Sequence, residues 1–329
     1  MEFTFTEEEL NKIKAKMGKY RKLNMERVIL KMKLLISLGF NQSQSLRIIQ
    51  KFPEILDLDD NNTKEKFKNF FAIGYTTREI LKLAFKQPML LSLGFEKNIV
   101  QKISDLEELG FTRQDIVKIS KIFPSIYTYN INTIRKRLDD FCSLGYSSEE
   151  VIKMMISSPT LFGLSKEHIE EKLNFLINLG FKKTQAIYVT SRATSLLTVS
   201  NETLQKRYDA LISCDLTDEQ LHQMIINYPS LLAFSPDNSV PKIKYYQAIE
   251  LDSVIIREPK RLMQSFELSC ARVAFFKELG HTITASNSSR IFINEKDFIK
   301  KYGITNDDLI AKYQNAIIRF RSEINASIR

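Results

Sequence analysis

The sequence predicts an all-α solenoid, a right- or left-handed superhelix of helical repeats, and three recurring observations predict it. A Gly-aromatic pair returns at Gly39-Phe40, Gly74-Tyr75, Gly110-Phe111, Gly145-Tyr146 and Gly180-Phe181, in steps of 35, 36, 35 and 35 residues. A proline stands fourteen residues after the glycine, at Pro53, Pro88, Pro124 and Pro159. One more step of 35 from Gly180 reaches Asp215-Leu216, fourteen before Pro229, and Thr194 is the one break in the proline series to that point. Two residues after each glycine comes Asn41, Thr76, Thr112, Ser147, Lys182 or Thr217, and three further on Gln44, Glu79, Asp115, Glu150, Gln185 or Gln220. That pair is a capping box, which satisfies orphan backbone N–H groups at a helix start. A period in this range marks stacked repeats, each burying its neighbour.

The first 23 residues mix Glu2, Glu7, Glu8 and Glu9 with Lys12, Lys14, Lys16, Lys19, Arg21 and Lys22. Transit peptides are poor in acids and secretory signals carry an apolar core, so the chain reads as cytoplasmic, and as mitochondrial or plastid only where a leader has been removed. A polar capping helix is expected from Thr6 to about Lys22, opened by a Thr6/Glu9 capping box. The expected division is 1–23 as this cap, 24–303 as seven to eight repeats with the last two degenerate, and 304–329 as a terminal capping helix.

Within a repeat the first helix follows the capping box, with apolar residues at helical spacing such as Ile116, Val117, Ile119 and Ile122. Proline ends it, because the residue before proline is pushed out of the α region. An apolar pair follows (Ile55-Leu56, Leu90-Leu91, Ile126-Tyr127, Leu161-Phe162, Leu196-Leu197, Leu231-Leu232) and reads as a short turn tucked into the core. The second helix places apolar residues eleven, seven and four before the next glycine, as Ile134, Leu138 and Phe141 precede Gly145. The glycine then closes it in a left-handed conformation. Asp215 replaces that glycine, so a less regular turn is expected there. Beyond Pro229 the pattern thins: Pro259 comes only thirty residues later, Leu279-Gly280-His281 opens a degenerate repeat, 286–289 reads as a loop and 306–321 as the last helix.

Hydrophobic content of 43% and charged content of 26% describe a well-packed chain rather than a disordered one. No apolar run approaches the ~18–20 residues that span a bilayer, so no membrane role is expected. Cys142, Cys214 and Cys270, an odd number at apolar-periodic places, read as buried reduced thiols.

Function is sought in one column. Eight residues before each glycine, or its substitute, stand Lys31, Lys66, Lys102, Arg137, Lys172, Arg207 and Arg272, and the short repeat offers Lys244. Periodicity places this position between apolar ones, yet the residue is basic each time; its stem can lie on the core edge and present the charge outward. Stacked repeats would align these eight into a stripe that accounts for nearly all of the net charge of +9, which suits a polyanion. The competing explanation is that each cation caps carbonyls of the preceding turn or pairs with a Glu of the next repeat. A partial second column, Arg47, Lys82, Lys118 and Lys153, fades into Tyr188 and Gln223 and reads equally as a solvated face; Lys260 and Arg261 extend the set.

Catalysis finds no support. His168, His222 and His281 lie far apart without partners at metal spacing, and there is no Gly-rich phosphate loop or nucleophile elbow. No enzyme, metal, cofactor or small-molecule substrate is expected.

The Leu-Gly-Phe/Tyr triplets at 109–111, 144–146 and 179–181, with the Ser/Thr cap, the proline fourteen on and the apolar pair beyond, resemble the mitochondrial transcription termination factor (mTERF) family over roughly residues 24 to 303. The resemblance implies two α-helices and a 3₁₀ turn per repeat, and double-stranded nucleic acid bound along a basic groove, with a role in transcription termination or organelle gene expression. A weaker likeness to the DNA-reading repeats of TAL effectors stops at their glycine-rich reading loop, where this chain has a proline and an apolar pair. The expected partner is nucleic acid, duplex DNA before structured RNA such as ribosomal RNA, bound by a monomer; a scaffold for an acidic protein partner is the alternative.

Overall fold

In a computed structural model that describes residues 3–18 and 22–328, the chain is all-α, with nineteen α-helices and no strand among the described residues. It divides into two compact units, Met1–Lys166 and Glu167–Arg329. Each is a stack of helical repeats.

Unit 1 opens with α1 (Glu7–Lys14), whose Thr6/Glu9 capping box is formed. This helix ends eight residues before Lys22, and Lys19 and Arg21 of the anticipated cap lie outside the described residues. Then come α2 (Met25–Ser37), α3 (Gln42–Lys51), α4 (Asp60–Ala72), α5 (Thr77–Lys86), α6 (Gln101–Glu108), α7 (Arg113–Ile122), α8 (Ile131–Leu144) and α9 (Ser148–Ser157). From α3 on, the odd-numbered members are the first helices of the repeats; the capping helix α1 rests on α3, α5 on α7 and α7 on α9. Between first and second helix sits a 3₁₀ turn, at Pro53–Asp57, Pro88–Leu91, Pro124–Tyr127 and Pro159–Gly163, with its proline buried. The lead into α6 differs, being π-helical over Phe95–Val100, with Gly94 where Asn24, Asp59 and Asn130 cap their helices through side-chain oxygens.

Unit 2 continues with α10 (Lys166–Asn178), α11 (Lys183–Arg192), α12 (Asn201–Ile212), α13 (Asp218–Asn227), α14 (Pro236–Ala248), α15 (Asp252–Arg257), α16 (Phe266–Glu278), α17 (Glu295–Tyr302), α18 (Asn306–Lys312) and α19 (Gln314–Ile328). The 3₁₀ turns recur at Thr194–Leu197, Pro229–Ala233 and Pro259–Met263. Thr194 shows that proline is helpful there, not required. The loop anticipated over 286–289 runs into another such turn, Ser288–Phe292, and the last helix anticipated over 306–321 is two helices that break at Tyr313.

The capping grammar is realised bond by bond. Asn41/Gln44, Thr76/Glu79, Thr112/Asp115, Ser147/Glu150 and Thr217/Gln220 each form the reciprocal box. Lys182 has no acceptor to give, so only Gln185 contributes there, taking the Lys182 N–H at 2.8 Å. The five repeat glycines lie at φ between 98° and 116°. Gly39 N–H donates to Ile36 O at 3.0 Å and Phe40 N–H to Leu35 O at 3.2 Å, closing the helix in a Schellman motif.

Two non-glycine residues share this left-handed conformation, Asp215 at φ 55° and Glu250 at φ 59°. The helix before Asp215 stops early, at Ile212, and Gln247 Nε2 takes the Cys214 carbonyl at 2.6 Å, so the turn is less regular, as expected. Glu250 sets the register of the short repeat: it lies 35 residues after Asp215, so the beat persists and the shortening falls in the six-residue α15. Gly303 (φ 73°) with Thr305 and Asp308 repeats the same start signal once more before α18.

The core of each unit is apolar, with a few satisfied hydroxyls. In unit 1, Tyr75 Oη lies 2.5 Å from both Ser120 Oγ and Tyr127 Oη. In unit 2, Tyr246 Oη lies 2.7 Å from Ser269 Oγ. Cys214 and Cys270 are buried and Cys142 half-buried, all unpaired; burial pushes the first two thiols up to about 11 and about 12.

Candidate nucleic-acid interface

The column of inner cations is placed by the second helices, on the side facing the next repeat's 3₁₀ turn. A 3₁₀ turn leaves carbonyls at its C-terminal end without main-chain donors, and the column supplies them. Lys31 Nζ donates to Leu58 O at 2.7 Å and to Asp60 Oδ1 at 2.5 Å. Lys66 donates to Leu91 O, Lys102 to Tyr129 O at 2.8 Å, Lys172 to Val199 O at 2.6 Å and Asn201 Oδ1 at 2.5 Å, and Arg207 to Leu232 O at 3.4 Å. Arg272 closes the series, giving Nη1 to Ile291 O at 2.9 Å and Ile293 O at 2.6 Å and Nη2 to Asn306 Oδ1 at 2.9 Å, with its guanidinium 4.6 Å from the Phe298 ring. Arg137 departs from the rule and pairs with Asp140 at 2.8 Å.

Exposure follows from this engagement. Lys31, Lys172 and Arg272 are 3%, 2% and 1% exposed, and Lys66, Lys102, Arg137 and Arg207 are half-buried. Burial lowers the pKa of Lys66, Lys102, Lys172 and Arg272, since desolvation disfavours the charged form. The outward-facing stripe anticipated for these positions is therefore corrected: the side chains turn inward and, Arg137 apart, bind main-chain oxygens, because a desolvated turn carbonyl beside a long cationic side chain is worth satisfying.

Lys244 is likewise corrected as the column's member in the short repeat. Counting eight back from Glu250 gives Lys242, which is 8% exposed and donates to Leu262 O at 2.9 Å; Lys244 is half-buried on the same helix.

The second column lies elsewhere, on the solvent side of the first helices. Arg47 on α3, Lys82 on α5, Lys118 on α7 and Lys153 on α9 are all exposed. The same faces carry cations that the sequence reading passed over: Lys51, Arg78, Lys86, Arg113 and Lys121. Their signal was present, since Arg78, Lys82 and Lys86 succeed one another at four-residue intervals, one face of a helix, and Lys51 and Lys86 hold equivalent repeat positions. Across α3, α5 and α7 eight exposed cations meet two acids, Glu79 and Asp115, both spent in capping boxes. Hydrogen bonds from Lys121 and from the Thr76 N–H hold Glu79 down to about 2.

In unit 2, Lys260 is exposed, while Arg261 is half-buried, pairs with Glu258 at 2.8 Å and stacks 4.8 Å from the Phe292 ring. Tyr188 takes the second-column position on α11, with Arg192 5.6 Å from its ring centre, but Tyr208 and Tyr245 are core residues. Charge is unevenly shared: 27 basic against 20 acidic residues in unit 1, 21 against 19 in unit 2.

Two of the three histidines meet main-chain carbonyls. His168 Nε2 lies 2.8 Å from Leu197 O, and His222 Nε2 lies 2.8 Å from Leu179 O and 3.0 Å from Tyr208 Oη. Among the described residues no helix is long and apolar enough to cross a membrane.

The family model mTERF matches residues 19–144 and again 140–299. No curated protein matches the chain.

Proposed function

Because the chain belongs to the mTERF family, a family of nucleic-acid-binding helical-repeat factors, we propose that it binds double-stranded nucleic acid and regulates DNA-templated transcription, as a termination factor does. One observation carries this reading: the solvent face of α3, α5 and α7 offers eight cations and almost no free acid. Guanidinium and ammonium groups on a rigid helical layer suit regularly spaced phosphates, whose neutralisation releases condensed counterions. The inner column supports the interface indirectly, by holding each 3₁₀ turn against its neighbour so that the outer helices keep their spacing. Duplex DNA is preferred to structured RNA as the partner.

Fluorescence anisotropy with a labelled 30-base-pair DNA duplex and an RNA duplex of the same sequence tests the reading. If six to eight phosphates are neutralised, log Kd against log salt has a slope of magnitude about 5 to 7. Binding with no salt dependence would overturn the proposed phosphate contacts, and displacement by polyglutamate as effective as by unlabelled duplex would favour an acidic protein partner and overturn the proposal.

A further inference from the structure

The eight outer cations are not equivalent. On α7, Arg113 Nε lies 3.3 Å from Glu107, and Lys118 and Lys121 lie 3.5 Å from Asp115 and 2.6 Å from Glu79. On α3 and α5, by contrast, none of Arg47, Lys51, Arg78, Lys82 and Lys86 has a carboxylate within 4 Å among the described residues.

These five are also arranged. Lys51 Nζ donates to Phe85 O at 3.2 Å and Lys86 Nζ to Lys121 O at 2.9 Å, so each ammonium is moored at the C-terminal end of the next first helix with further donors to spare. The Phe85 ring lies under both neighbours, 5.8 Å from the Arg47 guanidinium carbon and 4.8 Å from Lys51 Nζ. Mooring and stacking remove part of the side-chain entropy that a free surface lysine loses on binding. Arg78, Lys82 and Lys86 continue the patch along α5.

We infer that this α3–α5 patch, centred on Phe85, is where the protein grips the phosphate backbone of the duplex, and that α7 contributes little despite its three cations. The inference rests on the nucleic-acid reading above and narrows it to one surface. A cation already neutralised by a neighbouring carboxylate gains less from a phosphate and releases fewer counterions, because the pair has less net charge to offer. The five unpaired cations bear the whole of theirs.

The test compares two triple variants of the full chain, matched in charge. Arg78→Ala/Lys82→Ala/Lys86→Ala removes three members of the patch. Lys64→Ala/Lys68→Ala/Lys136→Ala removes three exposed lysines from the second helices α4 and α8. Circular dichroism establishes that both remain helical, and anisotropy with the DNA duplex is followed across salt. The expected result is a slope shallower by about 2 to 3 in the α5 variant and an affinity lower on the order of 100-fold at 0.1 M salt, with the control near wild type. Equal losses in both variants, or an unchanged slope in the α5 variant, would overturn the inference while leaving duplex binding intact. A wild-type protein that binds no duplex would overturn the broader reading and this one with it.

Discussion

Lys172 donates to the Val199 carbonyl at 2.6 Å while only 2% of it meets solvent. The bond ties α10 to the end of the following 3₁₀ turn, and the same tie recurs with other residues along both units. It turns what looks like a row of ligand-binding charges into a row of internal clamps.

Replacing that lysine should therefore cost stability before it costs binding. Lys172→Met keeps the apolar stem but leaves the Val199 carbonyl without its donor, a loss of about 1–3 kcal/mol. The urea midpoint should fall, while the salt slope of duplex binding by the folded protein stays at the wild-type value. A slope shallower by one phosphate would return Lys172 to the interface.

The corrected register makes a paired prediction. Lys242→Met should lower the unfolding midpoint more than Lys242→Arg, because only the arginine keeps a donor for Leu262 O. Equal midpoints in parallel urea titrations would mean that the bond to Leu262 O contributes nothing measurable.

Glycine is tolerant at one turn and not at another. Gly74 lies at φ 103° with nothing within 4 Å of an added Cβ, so Gly74→Ala meets backbone strain alone, about 1–2 kcal/mol. Gly180 lies at φ 98°, and an added Cβ would stand 2.8 Å from His222 Cε1. Gly180→Ala must also displace that ring from the Leu179 carbonyl, so its thermal midpoint should drop further than that of Gly74→Ala, by the equivalent of at least about 1 kcal/mol.

Acid should loosen unit 1 in a way that traces to Glu79. Its folded pKa is about 2, below the ordinary 4.5, so the folded state binds fewer protons than the unfolded one between those values. The stabilisation is complete above about pH 4.5 and is lost as pH falls toward 2. Glu79→Gln should narrow the difference in thermal midpoint between pH 7 and pH 3. An unchanged difference would show that the Lys121–Glu79 bridge contributes nothing measurable.

Removing the Tyr75 hydroxyl separates the buried trio in unit 1. Tyr75→Phe leaves Ser120 and Tyr127 without their shared partner and should cost about 0.5–1.5 kcal/mol. Ser120 keeps its 2.8 Å bond to Val117 O, so Tyr127 bears most of the loss. A denaturation curve indistinguishable from wild type would place water at the vacated position.

The sequence by itself determined the repeat, its boundaries and its joints. Capping boxes, left-handed glycines and helix-ending prolines act over fewer than six residues, so their identity and spacing are sufficient, and Thr76/Glu79 or Gly145 could be placed without any tertiary knowledge. Among the joints it missed was Glu250, a residue with no turn signature that lies at positive φ where its own N–H donates to Gln247 O at 3.0 Å and the Leu251 N–H to Tyr246 O at 2.7 Å. What only the tertiary structure decided was the direction in which each cation points. Lys31 belongs to a full column and Lys82 to a partial one, and periodicity puts both on a helix face. Which face meets a neighbouring turn and which meets water depends on how one repeat stacks on the next. The acceptors that draw Lys31, Lys172 and Arg272 inward are carbonyls 19 to 27 residues further along the chain. A charge column in a sequence states where charges are; only packing states whether they are already spent.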